Sequence, residues 1–265
     1  VARTLSLRHH GTIGMLLPQN IPVAFMNPYL SQIVQGIGEV CEREGHSLTL
    51  IPPVRESILD GIRSAAVDGL ITLGLEPATQ AVELIKTRHL PFVTIDGRIG
   101  GGFPVVTVDD RAAAADVARH VLANGHRKLA VFAFAESRDD GISSHARDQR
   151  LDGYNDAFGE LTDETLSVSY VDCEPSLAGG MEAVNELTEG GHAFTAIVAM
   201  SDIIALGAMQ RLESLGVSVP DQVSVVGFDD IPEAPLVRPR LTTVSQPGVD
   251  KSRCAADLLI EILAK

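Results

Sequence analysis

The chain has 265 residues, 45% of them apolar but only 4% aromatic and none Trp, so it can bury an aliphatic core for one large domain or two ordinary ones. Its formal charge of −14 repels nucleic-acid phosphates and excludes a chain that grips DNA unaided. Cys41, Cys173 and Cys254 lie far apart, with neither metal-ligand spacing nor a disulfide framework, and no apolar run approaches the ~20 residues needed to cross a bilayer. In chain order, TIGMLLP (12–18) predicts a buried strand and YLSQIVQGIGEVCEREG (29–45) a helix, with apolar residues at Leu30, Ile33, Val34, Ile37, Val40 and Cys41 and a glycine stop. Strands at 47–51, 69–73, 91–96 and 104–109 alternate with helices over about 56–66 and 77–88. The rhythm then repeats, with helices over about 111–123, 146–160, 177–188, 202–215 and 251–264 between the strands KLAVFAFA, LSVSYV, TAIVAM and QVSVVGF.

Continuously apolar strands separated by helices mean parallel strands covered on both faces. Two sets of four to six strands predict an α/β fold of two doubly wound lobes with a ligand cleft between them, against a closed eight-stranded barrel. The glycine-rich stretch GRIGGG (97–102) is expected to fall between the two sets. In open α/β sheets ligands bind beyond the carboxyl ends of the strands. Those ends are 18–25, 73–76, 96–98, 135–138, 200–202 and 228–230. The greasy strand that ends in Asp229 therefore points to a loop facing a polar small molecule. Asp230 beside it reads as a turn residue.

No GxSxG, GxxxxGK[ST], HExxH or GxGxxG motif occurs, and two adjacent carboxylates do not converge as acid/base chemistry needs. The expectation is a non-enzyme without cofactor or metal. An enzyme processing sugars or nucleosides is the competing reading.

The segment VSVVGFDD…RPRLTTVSQP resembles the end of the regulatory domain in the LacI/GalR family of bacterial transcription regulators. GTIGMLLP, NPYLSQIVQGIGEVCEREGHSL, VDGLITLG, PFVTIDGR, VTVDDRAAAADVARHVLANGHRKLAVFA, RLDGYNDAF and AIVAMSDIIALGAMQRLESLGVSVP resemble other parts of that domain, in family order across essentially the whole chain. The resemblance implies a periplasmic-binding-protein-like core with residues 11–107 plus 247–265 as the N-terminal lobe and 108–246 as the C-terminal lobe. ARTLSLRHHGTIG resembles the junction with the family's hinge helix, so residues 1–10 are expected to be a hinge remnant and the helix-turn-helix head to be missing. It further implies a cytoplasmic homodimeric regulator, of repressor type, whose small-molecule effector (a sugar, sugar phosphate or nucleoside) modulates operator DNA affinity through that head, with no membrane partner. A periplasmic solute-binding protein of a transporter shares the fold and is the alternative.

By the same resemblance Asp229 accepts hydrogen bonds from effector hydroxyls, and Arg150 in RLDGY reaches the effector with a fixed fork of donors. Ser201 and Asp202 stand where the family carries Asn-Asp; Ser201 departs from that pattern, and Asp202 serves equally as a helix cap. Phe25, Asn27 and Tyr29 form a first-lobe loop suited to stacking a sugar or base, although Tyr29 could simply pack its helix. Gln246 matches an effector contact or a hinge residue. Asp96, ending the fourth strand, either binds ligand or holds the glycine-rich stretch.

Overall fold

The computed structural model describes residues 11–135, 145–161 and 165–265. Within them, two five-stranded sheets form in which every strand pair is parallel. The first sheet holds β1 (Thr12–Leu16), β2 (Ser47–Ile51), β3 (Gly69–Leu73), β4 (Phe92–Ile95) and β5 (Val105–Val106), in the order β2-β1-β3-β4-β5. Its connections carry α1 (Ile21–Ala24), α2 (Pro28–Glu44), α3 (Ile58–Ser64) and α4 (Gln80–Thr87). The second sheet holds β6 (Lys128–Phe134), β7 (Ser167–Cys173), β8 (Ala196–Ala199), β9 (Ser224–Asp229) and β10 (Thr242–Ser245), in the order β10-β9-β8-β6-β7. Around it lie α5 (Asp110–Ala123), α6 (His145–Gly159), α7 (Leu177–Glu189) and α8 (Asp202–Ser214). The last helix, α9 (Gly248–Leu263), crosses back and packs on α2 and on β3, β4 and β5.

Both sheets share one winding, in which the first strand of each set sits between its second and third. That order reverses direction at β1/β3 and again at β6/β8, and each reversal opens a crevice at the strand tips. The β1, β3 and β4 side chains are almost wholly buried, as two-faced coverage requires. Helix α2 shows how local signals and packing agree. Asn27 caps it by accepting from Tyr29 N at 3.0 Å, Pro28 opens it, and Gly45 at φ 74° closes it. Its Ile33, Ile37 and Val40 are fully buried, and Gly36 lets α9 approach so closely that a Cβ would lie 2.1 Å from Ser252 Oγ.

Several elements differ from expectation for local reasons. GRIGGG does not separate the sheets: it connects β4 to β5, which pairs with β4 through Thr94↔Val105 inside the first sheet. Helices α3 and α4 start later than their apolar spacing suggests. Arg55, Glu56 and Ala78 adopt positive φ, and Ser57 and Thr79 cap the two helices behind them. The four-residue α1 and the strand β10 are too short to announce themselves by periodicity. The expected hinge remnant at 1–10 lies outside the described residues.

Candidate functional site

A cavity of about 990 Å³ opens between the carboxyl ends of the two sheets. Pro18 and Gln19 after β1, Leu73 and Gly74 at the end of β3, and Asp96 after β4 line it from the first sheet. Phe134 at the end of β6 and Ala135 after it, Asp172 and Glu174 around the end of β7, and Asp229 at the end of β9 face them. Helices α1, α2 and α6 and the crossover residue Gln246 complete the wall. Residues 136–138, expected at the site as part of the loop after β6, lie outside the described residues.

The polar floor is a chain of buried charges that runs from one sheet to the other. It starts at Tyr29, whose hydroxyl donates to Asp96 Oδ2 at 3.0 Å. Lys251, in the first turn of α9, donates to Asp96 Oδ1 at 2.6 Å and also to Gln246 Oε1. Gln246 Nε2 passes the chain to Asp229 Oδ1 at 2.9 Å. Arg150 Nη1 stands 3.7 Å from that same oxygen, while its Nε donates to Asp110 Oδ1 at 2.8 Å and Nη1 donates to Met200 O. The guanidinium lies 3.7 Å above the Phe228 ring, a stacked site that a lysine could not fill in the same way.

Burial decides the ionisation of this floor. It pushes the Asp229 carboxyl up to about 8, against the opposing pull of Arg150. Arg150 can spare little for Asp229 because Asp110, equally buried, already neutralises it at the shorter distance. Burial opposes the Arg150 cation too, but Asp110 and Asp229 outweigh it and raise its pKa. Lys251 is pulled below its ordinary range by burial despite Asp96, and Tyr29 is held well above its range by burial and then by the Asp96 charge.

Two of the carboxylates sit on unusual backbone. Asp96 has φ 55° and Asp229 φ 128°, one at the tip of each sheet. Such conformations cost about 1–3 kcal/mol and persist where the surroundings over-determine them, which occurs preferentially at functional sites.

Of the nine residues singled out in the sequence, the cavity brings together Asp229, Arg150, Gln246, Tyr29, Asn27 and Asp96. Ser201, Asp202 and Phe25 are not in its lining. Asp202 is fully buried. Its Oδ2 accepts from Ile231 N at 2.9 Å and its Oδ1 from Thr243 Oγ1 at 2.5 Å, so it ties the loop after β9 to β10. Gly227 makes room for it: a Cβ there would sit 2.2 Å from Asp202 Oδ1. Ser201 is the N-cap residue of α8, fully buried and without a side-chain cap hydrogen bond. Phe25 ends α1 and is 38% exposed, whereas Val23, Ala24 and Met26 of the same segment line the cavity. Asn27 reaches the wall with its side-chain oxygen already capping α2.

The structure adds Lys251, Asp110, Phe134, Arg147, Asp172 and Glu174 to the site or its support. A helix-phase argument finds the first two. Lys251 shares the buried face of α9 with Ala255 and Leu259, and Asp110 shares that of α5 with Ala114, Val117 and Val121. A charged residue on an apolar stripe demands a buried partner. Among the described residues no group of three His, Cys, Asp or Glu is arranged to hold a metal, and no helix is long and apolar enough to cross a membrane.

Comparison with known proteins agrees with this architecture. Residues 118–265 match the model of a periplasmic binding protein-like domain. An HTH-type transcriptional regulator of Mycolicibacterium smegmatis is 30% identical over 281 residues, covering 98% of this chain and 76% of that protein. A LacI family transcriptional regulator from Enterococcus faecium, solved with bound ribose, superposes with a TM-score of 0.78 at 26% identity, covering 96% of this chain and 90% of that one. A complex of the transcriptional regulator CelR with cellobiose superposes with a TM-score of 0.78 at 27% identity, covering 99% of this chain and 81% of that one.

Proposed function

The chain belongs to the LacI/GalR family of transcription regulators, and on that premise we propose that its cavity is the effector site through which a small polyhydroxylated molecule controls operator binding. The observation that carries this reading is the buried chain Tyr29–Asp96–Lys251–Gln246–Asp229–Arg150 at the cavity floor, which joins the tips of both sheets. Asp229, a buried carboxyl with one oxygen hydrogen-bonded among the described residues, has capacity left for ligand hydroxyls. In this reading residues 11–107 with 247–265 form one lobe and residues 108–246 the other. The effector touches both and so favours one relative placement of them.

Its leverage is the difference between its affinities for the two placements. The intact regulator acts as a homodimeric cytoplasmic repressor in this account, with a DNA-binding head supplying the positive charge that this acidic chain lacks. The sugars seen in the Enterococcus faecium and CelR structures make a sugar the first ligand to try. The test is a thermal-shift screen of sugars and nucleosides on this chain, because selective binding to the folded state raises the melting temperature. The winning compound should lose its shift with Asp229→Ala and should change operator affinity in the intact regulator. A shift that survives Asp229→Ala would place the effector elsewhere.

A further inference from the structure

We propose that the cavity selects a polyhydroxylated ligand that carries no anionic group, and rejects phosphorylated and carboxylated sugars. The proposal rests on the cavity being the effector site and narrows what that site accepts. Among the described lining residues Asp96, Asp172 and Glu174 are carboxylates and Asp229 keeps its proton up to about 8, against the two cations Arg147 and Arg150. Both cations are already matched. Arg147 donates from Nε to Phe134 O at 2.6 Å and from Nη2 to Asp172 Oδ1 at 3.0 Å. Arg150 is paired with Asp110 and flanked by Asp229, and Phe228 covers one face of its guanidinium.

Lys251, the other fully buried cation among the described residues, turns to Asp96 and Gln246 and is not in the cavity lining. Two helix starts that reach the cavity among the described residues, of a kind that elsewhere serves as an anion site, are also occupied. Asn27 caps α2 and Ser176 caps α7 by accepting from Gly179 N at 3.0 Å, and both residues line the cavity. Among the described residues an incoming phosphate would therefore meet like charge and no uncompensated partner in exchange for its hydration. Hydroxyls fare differently. Each both donates and accepts, so it can bond the carboxyl oxygens of the lining without adding charge. Val23, Met26, Leu73 and Phe134 supply apolar surface for the C–H faces of a sugar ring.

The test is a calorimetric panel of neutral mono- and disaccharides, including ribose and cellobiose, each run beside its phosphate ester or uronic acid. At least one neutral sugar should bind, and its anionic counterpart should bind at least about a hundredfold more weakly. Removing two lining charges in Asp172→Asn/Glu174→Gln should narrow that ratio by strengthening the binding of the anionic member. An anionic member that binds as tightly as its neutral parent overturns the proposal, as does a panel in which no neutral sugar binds. A ratio unchanged in the double variant also overturns it, since shape and not charge would then discriminate. If instead a bound sugar keeps its affinity in Asp229→Ala, the fault lies in the assignment of the effector site itself.

Discussion

Asp96 after β4 and Asp229 at the tip of β9 stand on opposite sheets, both with positive φ and each within 4 Å of a buried cation. Around Asp96 the partners are complete. Lys251 donates to one oxygen at 2.6 Å and Tyr29 to the other at 3.0 Å, with Thr107 adding a longer contact at 3.4 Å. Around Asp229 they are sparse. Gln246 serves one oxygen, and Arg150 stands back at 3.7 Å because Asp110 holds it. The same pairing of carboxylate and cation thus yields a strut on one sheet and, on the other, a group whose charge is poised near neutrality. A ligand that completes the second set of contacts gains more than one that competes with the first.

The comparison is broken most forcefully by removing a cation. Arg150→Ala should cost about 3–5 kcal/mol of stability in urea unfolding, because it strands the buried Asp110. It should also abolish the ligand-induced thermal shift. Lys251→Met should cost less, about 2–3 kcal/mol, since Tyr29 and Thr107 still donate to Asp96. A larger loss from Lys251→Met than from Arg150→Ala would mean that Tyr29 and Thr107 do not hold the Asp96 charge without it.

Titration sharpens the same contrast. An aspartate ordinarily ionises at 3.8, and burial raises Asp229 to about 8, so the folded state holds its proton more tightly. The stability this group contributes is complete below pH ~4 and is lost as pH rises through about 8. Arg150, Gln246, Lys251, Asp202 and Tyr154 act on it from the surrounding elements, and none reverses the sign. Urea unfolding from pH 5 to 8.5 should show stability falling with pH, with a shallower slope in Asp229→Asn. An equal slope in the two proteins would contradict the raised value.

Smaller effects belong to the residues outside the lining. Asp202→Ala should cost about 1–3 kcal/mol by leaving the Ile231 amide unsatisfied, with ligand affinity unchanged. Phe25→Ala should alter stability by no more than about 0.5 kcal/mol and leave affinity untouched.

The fold was legible because β1, β3, β4 and β9 are apolar on both faces and α2 carries its cap, stripe and glycine stop in the sequence. That Asp229 lines the cavity was legible because an acid closing an apolar strand marks the strand tip. Asp202 stayed open between ligand contact and helix cap because a carboxylate at the junction of strand and helix looks the same in either role; the fold of the loop after β9 shows it bonded to Ile231 N and Thr243 Oγ1. Phe25 stands outside the lining, where Val23 and Ala24 of the one-turn α1 and Met26 beyond it stand instead, a phase that a single turn does not announce. Lys251 and Asp110 were readable and passed over. Each sits on a buried helical stripe near a helix start, where a charge is easily taken for a cap.

The account stands on one molecule being gripped from both sheets at once. Calorimetric titration of a binding sugar against Asp96→Asn and Asp229→Asn, each first checked for a cooperative melt, tests that grip most directly. Both variants should bind more weakly than the parent chain, with Asp229→Asn the weaker of the two. Parent-like affinity in folded Asp96→Asn would mean that the first sheet takes no part, and parent-like affinity in Asp229→Asn would remove the central carboxylate from the site.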